Sequence, residues 1–144
     1  MKLNKEQIKE IIPHRDPFLL VDRVLELEPG DIAICEKDVR IDEYYFKGHF
    51  PEEPVMPGVL IIESIAQTGA ITLLSLPENK GKIVYFGGLK KAKFKRKVIP
   101  GDTLRLEVKI NKIKKSFGDG FGRAYVGNEL ACEAEFIFSY MDKP

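Results

Sequence analysis

The chain is poor in cysteine, nearly neutral, short of histidine and free of repeats, and each shortage removes a class of protein. Cys35 and Cys132 are its two cysteines; they make no disulfide framework, and neither stands in a CxxC pair. Both fall in strand-like patterns as small buried hydrophobes, and a reducing, cytoplasmic setting fits. Lys and Arg number 23 against 22 Asp and Glu, so a net charge of +1 gives the molecule as a whole no pull toward nucleic acid, and it carries no RNA- or DNA-binding motif. His14 and His49 are the only histidines; with Glu63 they fall on separate elements without ligand spacing, so no metal site is expected. MKLNKEQIKEIIP lacks the apolar core that a signal peptide needs. Val59–Leu76 is the one candidate membrane span, but it holds Glu63 and Gln67 between bracketing prolines. A carboxylate there would cost on the order of 3 kcal/mol in lipid, so a core helix is expected instead. No linker, repeat or low-complexity tract divides the chain, which reads as one domain over residues 1–144.

What is present reads as one long helix and about six strands. Asn4 can cap a short helix over residues 4–12, with Gln7 at the capping-box position and Pro13 ending it. Val21–Glu28 and Ile32–Ile41 read as strands joined at Pro29-Gly30-Asp31. Pro57 and Gly58 open a helix running to Leu74, apolar nearly all round and therefore expected to be buried on every side. Ile83–Leu89 is an apolar run broken by Gly87-Gly88, where a bulge or a close approach is expected. Lys90–Lys97 carries six basic residues in eight, and Leu104–Asn111 alternates cleanly. Phe117–Val126 is a glycine-rich strand, turned at Gly127-Asn128 into a last strand through Phe138. Without strand–helix–strand alternation, the sheet is expected to be antiparallel, giving an α+β fold.

The chemistry concentrates in HFPEEPVMPGVLIIESIAQTGAITLLSL, residues 49–76. Prolines at 51, 54 and 57 restrict the loop that carries His49. Glu63 is the one carboxylate within the apolar helix, and burial without a partner holds such a group protonated, as a general acid requires. Gly58 opens the helix, where free N–H groups and the positive end of the dipole suit an oxyanion. A base, an acid and an oxyanion donor suit proton abstraction beside a carbonyl and loss of a leaving group, without a cofactor. On the residues alone, a structural role for both groups stays equally open: His49 capping its loop, Glu63 bonded to Gln67.

HFPEEPVMPGVLIIESIAQ resembles the central motif of the FabZ-type 3-hydroxyacyl-acyl-carrier-protein dehydratases. IPHRDPFLLVDRVLELEPG is similar to that family's N-terminal motif and KAKFKRKVIPGDTL to its C-terminal one, so the likeness spans nearly the whole chain. It implies the hotdog fold, an antiparallel sheet of about six strands wrapped around one long central helix. It implies His49 and Glu63 as the catalytic pair, one from each subunit of a homodimer, and the Gly58 N–H as donor to the thioester carbonyl. Such dimers often assemble as trimers. Phe50, Val59, Phe86 and Gly87 are expected to contact substrate. The implied reaction is the reversible loss of water from a (3R)-hydroxyacyl thioester to give the trans-2-enoyl product, with no cofactor. Either Glu63 protonates the departing hydroxyl, or His49 handles both protons while Glu63 positions water. Glu63 stands where the FabA-type relatives carry Asp; Ser64 and Gly87-Gly88-Leu89 are departures away from the catalytic positions.

The basic stretch has two readings: an edge strand defended by lysine, or a docking patch of Lys91, Lys93, Lys95, Arg96 and Lys97 for an acidic partner, which the resemblance makes acyl carrier protein. His14, between two prolines, reads as a structural loop residue. Tyr44, Tyr45 and Phe46 read as acyl-pocket lining or plain packing. A hotdog thioesterase and a non-catalytic carrier-binding module are the competing functions. The His-to-Glu spacing opposes the first, and the presence of both members opposes the second.

Overall fold

The computed structural model describes residues 2–142. Helix α1 (Lys5–Lys9) opens with the reciprocal cap: the Gln7 amide donates to the Asn4 side chain and the Asn4 amide to the Gln7 side chain. It ends earlier than the pattern over 4–12 suggests, because the Glu10 N–H bonds back to Gln7 and tightens the last turn ahead of Pro13.

Six strands follow, β1 (Arg23–Glu28), β2 (Ile32–Asp38), β3 (Ile83–Phe94), β4 (Thr103–Lys114), β5 (Phe117–Val126) and β6 (Glu129–Met141). They form one sheet in the order β1-β2-β4-β5-β6-β3, antiparallel at every pairing. Wrapped on the single long helix, this is the hotdog arrangement. β3 unites two stretches that the sequence separates, the apolar run and the start of the basic one. Its register with β6 shifts between Phe86 and Gly88 and again between Leu89 and Lys91, so the paired glycines do mark a bulge. β3 is an edge strand along most of its length on one side.

Helix α2 (Gly58–Leu74) packs against β2, β3, β4, β5 and β6. Its hydroxyls bond to backbone: Ser64 and Thr68 donate to the carbonyls one turn back, and Thr72 donates to Glu28 and Ile32. The Gly30 N–H, in the β1–β2 turn, donates 2.8 Å to the Thr72 carbonyl and pins that turn to the helix. Burial all round holds only from Ser64 onward. Val59 is 71% exposed, and Leu60, Ile62 and Glu63 are half-buried, so one sheet leaves a face of the first turn and a half uncovered. Among the described residues no helix is long and apolar enough to cross a membrane.

The glycines of β5 are explained by what fills their side-chain space. A Cβ at Gly122 would fall inside the van der Waals envelope of Ile65 from α2 and lie 3.2 Å from Val108. Gly122→Val is therefore expected to cost about 1–3 kcal/mol through overpacking. Urea unfolding checks it: an unchanged midpoint would mean that helix and sheet do not meet there as described.

Candidate active site

The loop before α2 is fixed by its own backbone. The His49 N–H donates to Tyr45 at 3.1 Å, Val55 donates to the His49 carbonyl at 3.0 Å, and Met56 donates to Val98 at 2.8 Å. Tyr45 and Phe46, in a single 3-10 turn, are buried beneath this loop, whereas Tyr44 is exposed, so the first two are packing residues. The His49 ring stacks on Phe50, centroids 4.2 Å apart, and its Nδ1 lies 2.8 Å from the Val55 carbonyl. Only Nδ1–H can satisfy that carbonyl, so in the neutral ring the lone pair falls on Nε2, the tautomer a base acting through Nε2 needs.

Pro57 caps α2 and offers no side-chain hydrogen bond. Leu60 and Ile61 donate to the Pro57 carbonyl, which leaves the Gly58 and Val59 amides at the positive end of the helix without intrahelical partners. The absence of a side chain at Gly58 has a second cause besides access. The Phe94 ring lies so close that a Cβ at 58 would stand 2.6 Å from its Cε1. His49, Gly58, Val59, Phe94 and the segment Lys95–Val98 line an open depression of about 600 Å³.

Glu63 lies elsewhere. It lines a smaller pocket of about 140 Å³ with Val59, Ile62, Phe86, Leu89 and Phe136. The two cavities share Val59 alone, so one chain does not bring His49 and Glu63 into a common pocket. Burial pushes the Glu63 carboxyl up from its ordinary value, partly offset by Gln67, whose amide nitrogen donates to Oε2 at 3.1 Å. Gln67 is itself wholly buried and locked: its nitrogen also donates to the Phe18 carbonyl, and its oxygen accepts from the Leu20 N–H, both at 2.8 Å.

Sequence reasoning passed over one neighbour of the carboxyl. His14, read as a structural loop residue, has its Nε2 3.7 Å from Glu63 Oε2. Only the pairing of Gln67 with Glu63, four residues apart, was visible in advance. Of the remaining candidates, Phe50 is half exposed beside His49, and Val59 borders both cavities. Phe86 borders the second, while Gly87 lines neither and sits at the β3 bulge. Lys91 and Lys93 stand opposite Glu135 and Glu133 of β6, and Arg96 pairs with Asp102 and Glu129. Lys97 meets Glu53 at 3.1 Å in an exposed pair. The cations beside the His49 depression are therefore Lys95, Arg96 and Lys97.

The FabA-like domain profile matches residues 12–135. A Clostridium kluyveri protein named 3-hydroxyacyl-[acyl-carrier-protein] dehydratase FabZ is 57% identical over 99% of both chains. Proteins of the same name from Clostridium novyi and Roseiflexus castenholzii are 60% and 56% identical, over 96% and 95% of this chain and 98% and 96% of theirs. Among solved structures, the dehydratase heterocomplex ApeI:P of Xenorhabdus doucetiae contains a chain that superposes with a TM-score of 0.80 at 15% identity, covering 94% of this chain and 91% of that one. That last likeness bears on the fold.

The raised Glu63 titration gives a stability signature. The folded chain binds this proton more tightly than the unfolded chain, so the group detracts from stability as pH rises past its ordinary value of 4.5. Glu63→Gln keeps an oxygen for Gln67 and removes the charge. It is expected to raise Tm at pH 8 and to lose that advantage as pH falls toward 4.5. Thermal melts of both proteins across this range test it, and a pH-independent difference would contradict a buried, proton-holding carboxyl.

Proposed function

The chain belongs to the FabA-like family as a FabZ-type 3-hydroxyacyl-acyl-carrier-protein dehydratase of fatty acid biosynthesis, and from that premise we propose how it removes water. His49 Nε2 takes the proton from C2 of a (3R)-hydroxyacyl thioester. The electron pair of that C–H bond forms the C2–C3 double bond of the trans-2-enoyl product. The C3–O bond breaks, and its pair leaves with the hydroxyl as Glu63 delivers its proton to make water. The Gly58 N–H, at the helix terminus, donates to the thioester oxygen while charge gathers there. Each acid or base is typically worth ~10²–10⁴ in rate, and one oxyanion donor about 2.7–4 kcal/mol. The observation that carries the acid role is the half-buried position of the carboxyl, which pushes its titration upward. The one that carries the base role is the Val55 carbonyl, which fixes the His49 tautomer.

Since the two groups line different cavities of one chain, the working site takes His49 from one protomer and Glu63 from its partner. The uncovered apolar surface supports this: Phe50 on the His49 loop, Val59 at the α2 start and Leu89 and Phe94 on the β3 edge are each more than half exposed, surface a second copy would bury. Such dimers would group further as a trimer of dimers. Phe50, Val59, Phe86 and Gly87 take the acyl chain and its thioester, and the setting is cytoplasmic. An acidic acyl carrier protein docks on Lys95, Arg96 and Lys97; Lys91 and Lys93, facing Glu135 and Glu133, contribute less.

Carrier-bound 3-hydroxybutyrate followed by mass spectrometry tests the chemistry. His49→Ala and Glu63→Gln should each lose roughly 100-fold or more in turnover, and retention of most turnover in Glu63→Gln would remove its acid role. Mixing the two dead variants tests the shared site. Half of the dimers would be mixed, each with one intact site of two, so about a quarter of wild-type activity should return. A site within one chain would return none.

Reversing charge at Lys95 and Lys97 should raise KM for the carrier-bound substrate about tenfold at low salt and leave kcat in place, with the difference fading as salt rises. An unchanged KM would move the docking surface elsewhere.

A further inference from the structure

Glu63 has two polar neighbours: Gln67, which donates to it, and His14, which faces it. Arg15 spends its guanidinium on the carbonyls of Lys9, Ile12 and His14, at 3.0, 3.0 and 2.7 Å, and so braces the loop without reaching the carboxyl. The His14 Nδ1 is buried and meets no hydrogen-bond partner among the described residues. A buried N–H without an acceptor is costlier than a bare lone pair, so the imidazole proton belongs on Nε2, the atom aimed at Glu63. At 3.7 Å the contact is half an ångström or so beyond a hydrogen bond, within reach of a small side-chain adjustment.

We propose that His14 is a positioning residue for the reaction, its Nε2–H joining the Gln67 amide to receive the Glu63 carboxylate once that group has given up its proton. The inference rests on the acid role assigned to Glu63 above. The Gln67 amide reaches the same oxygen, Oε2, so the charge left on Glu63 would be met by two neutral donors. Neutral donors suit this position. A cation there would hold the carboxyl ionised beforehand and spoil it as an acid. Burial, and then the nearby Arg15 charge, keep the imidazole below its ordinary titration range and hence neutral. A donor that strengthens only as charge develops lowers the barrier and leaves substrate binding alone.

Three variants assayed on carrier-bound 3-hydroxybutyrate decide it. His14→Phe fills the ring's space without a donor; kcat should fall about tenfold, as befits a lost hydrogen bond to a charged group, with KM within about twofold of wild type. His14→Gln carries an amide as far as the Nε2 position and should recover to within about threefold. His14→Asn reaches only the Nδ1 position and should stay near the Phe level, which carries the test if the Phe variant does not fold. A kcat within twofold of wild type in folded Phe or Asn variants, a loss appearing in KM, or equal losses in the Gln and Asn variants would each overturn the proposal. Those results leave the Glu63 reading standing, whereas retained turnover in Glu63→Gln removes the premise itself.

Discussion

One helix that is apolar on nearly every face has to be buried by one sheet. The rest of the architecture follows from that mismatch. Six antiparallel strands curl far enough to cover α2 from Ser64 to Leu74, and the glycines of β5 let the helix lie directly on the strand. The sheet runs out at the helix start, where Val59, Leu60, Ile62 and Glu63 remain partly open. Free amides, a carboxyl and apolar side chains are thus concentrated at the one end that the fold leaves unfinished. The candidate site and the exposed apolar patch are two consequences of the same shortage of cover.

The carboxyl is tuned by partial burial rather than by a counter-ion. Glu63 meets the Gln67 amide and the edge of His14, and Gln67 is locked by the backbone of Phe18 and Leu20. The segment between α1 and β1 therefore acts on the helix through an amide, even though the two lie almost fifty residues apart in sequence. His49 is treated differently: its tautomer is set by a carbonyl six residues on, inside its own loop. One member of the pair is held locally and the other by long-range packing.

That contrast explains what the sequence made legible. Periodicity gave α2, β4, β5 and β6 closely, because alternation and all-round apolarity are local properties. The His49 loop was readable from its prolines. β3 was split in two, since the bulged glycines and the lysines that follow interrupt the pattern while the ladder to β6 continues through them. Nothing in PHRDP marked His14 as the neighbour of Glu63, a contact made by a loop of no regular structure across 49 positions. Nor was the claim of Phe94 on Gly58 visible, because it joins the end of one strand to the start of a distant helix.

Phe94 and Gly58 are, in effect, one decision written at two places. The ring occupies the volume that any side chain at 58 would need, so residue 58 cannot enlarge while the ring stays in place. A lineage that enlarged residue 58 would first have to shrink residue 94, passing through an intermediate with a hole beside the helix terminus. Transplanting the loop and helix start without the end of β3 would leave Gly58 without the ring that packs on it. The smallest portable unit of this site is therefore discontinuous in sequence, a loop and helix start together with the last residue of an edge strand.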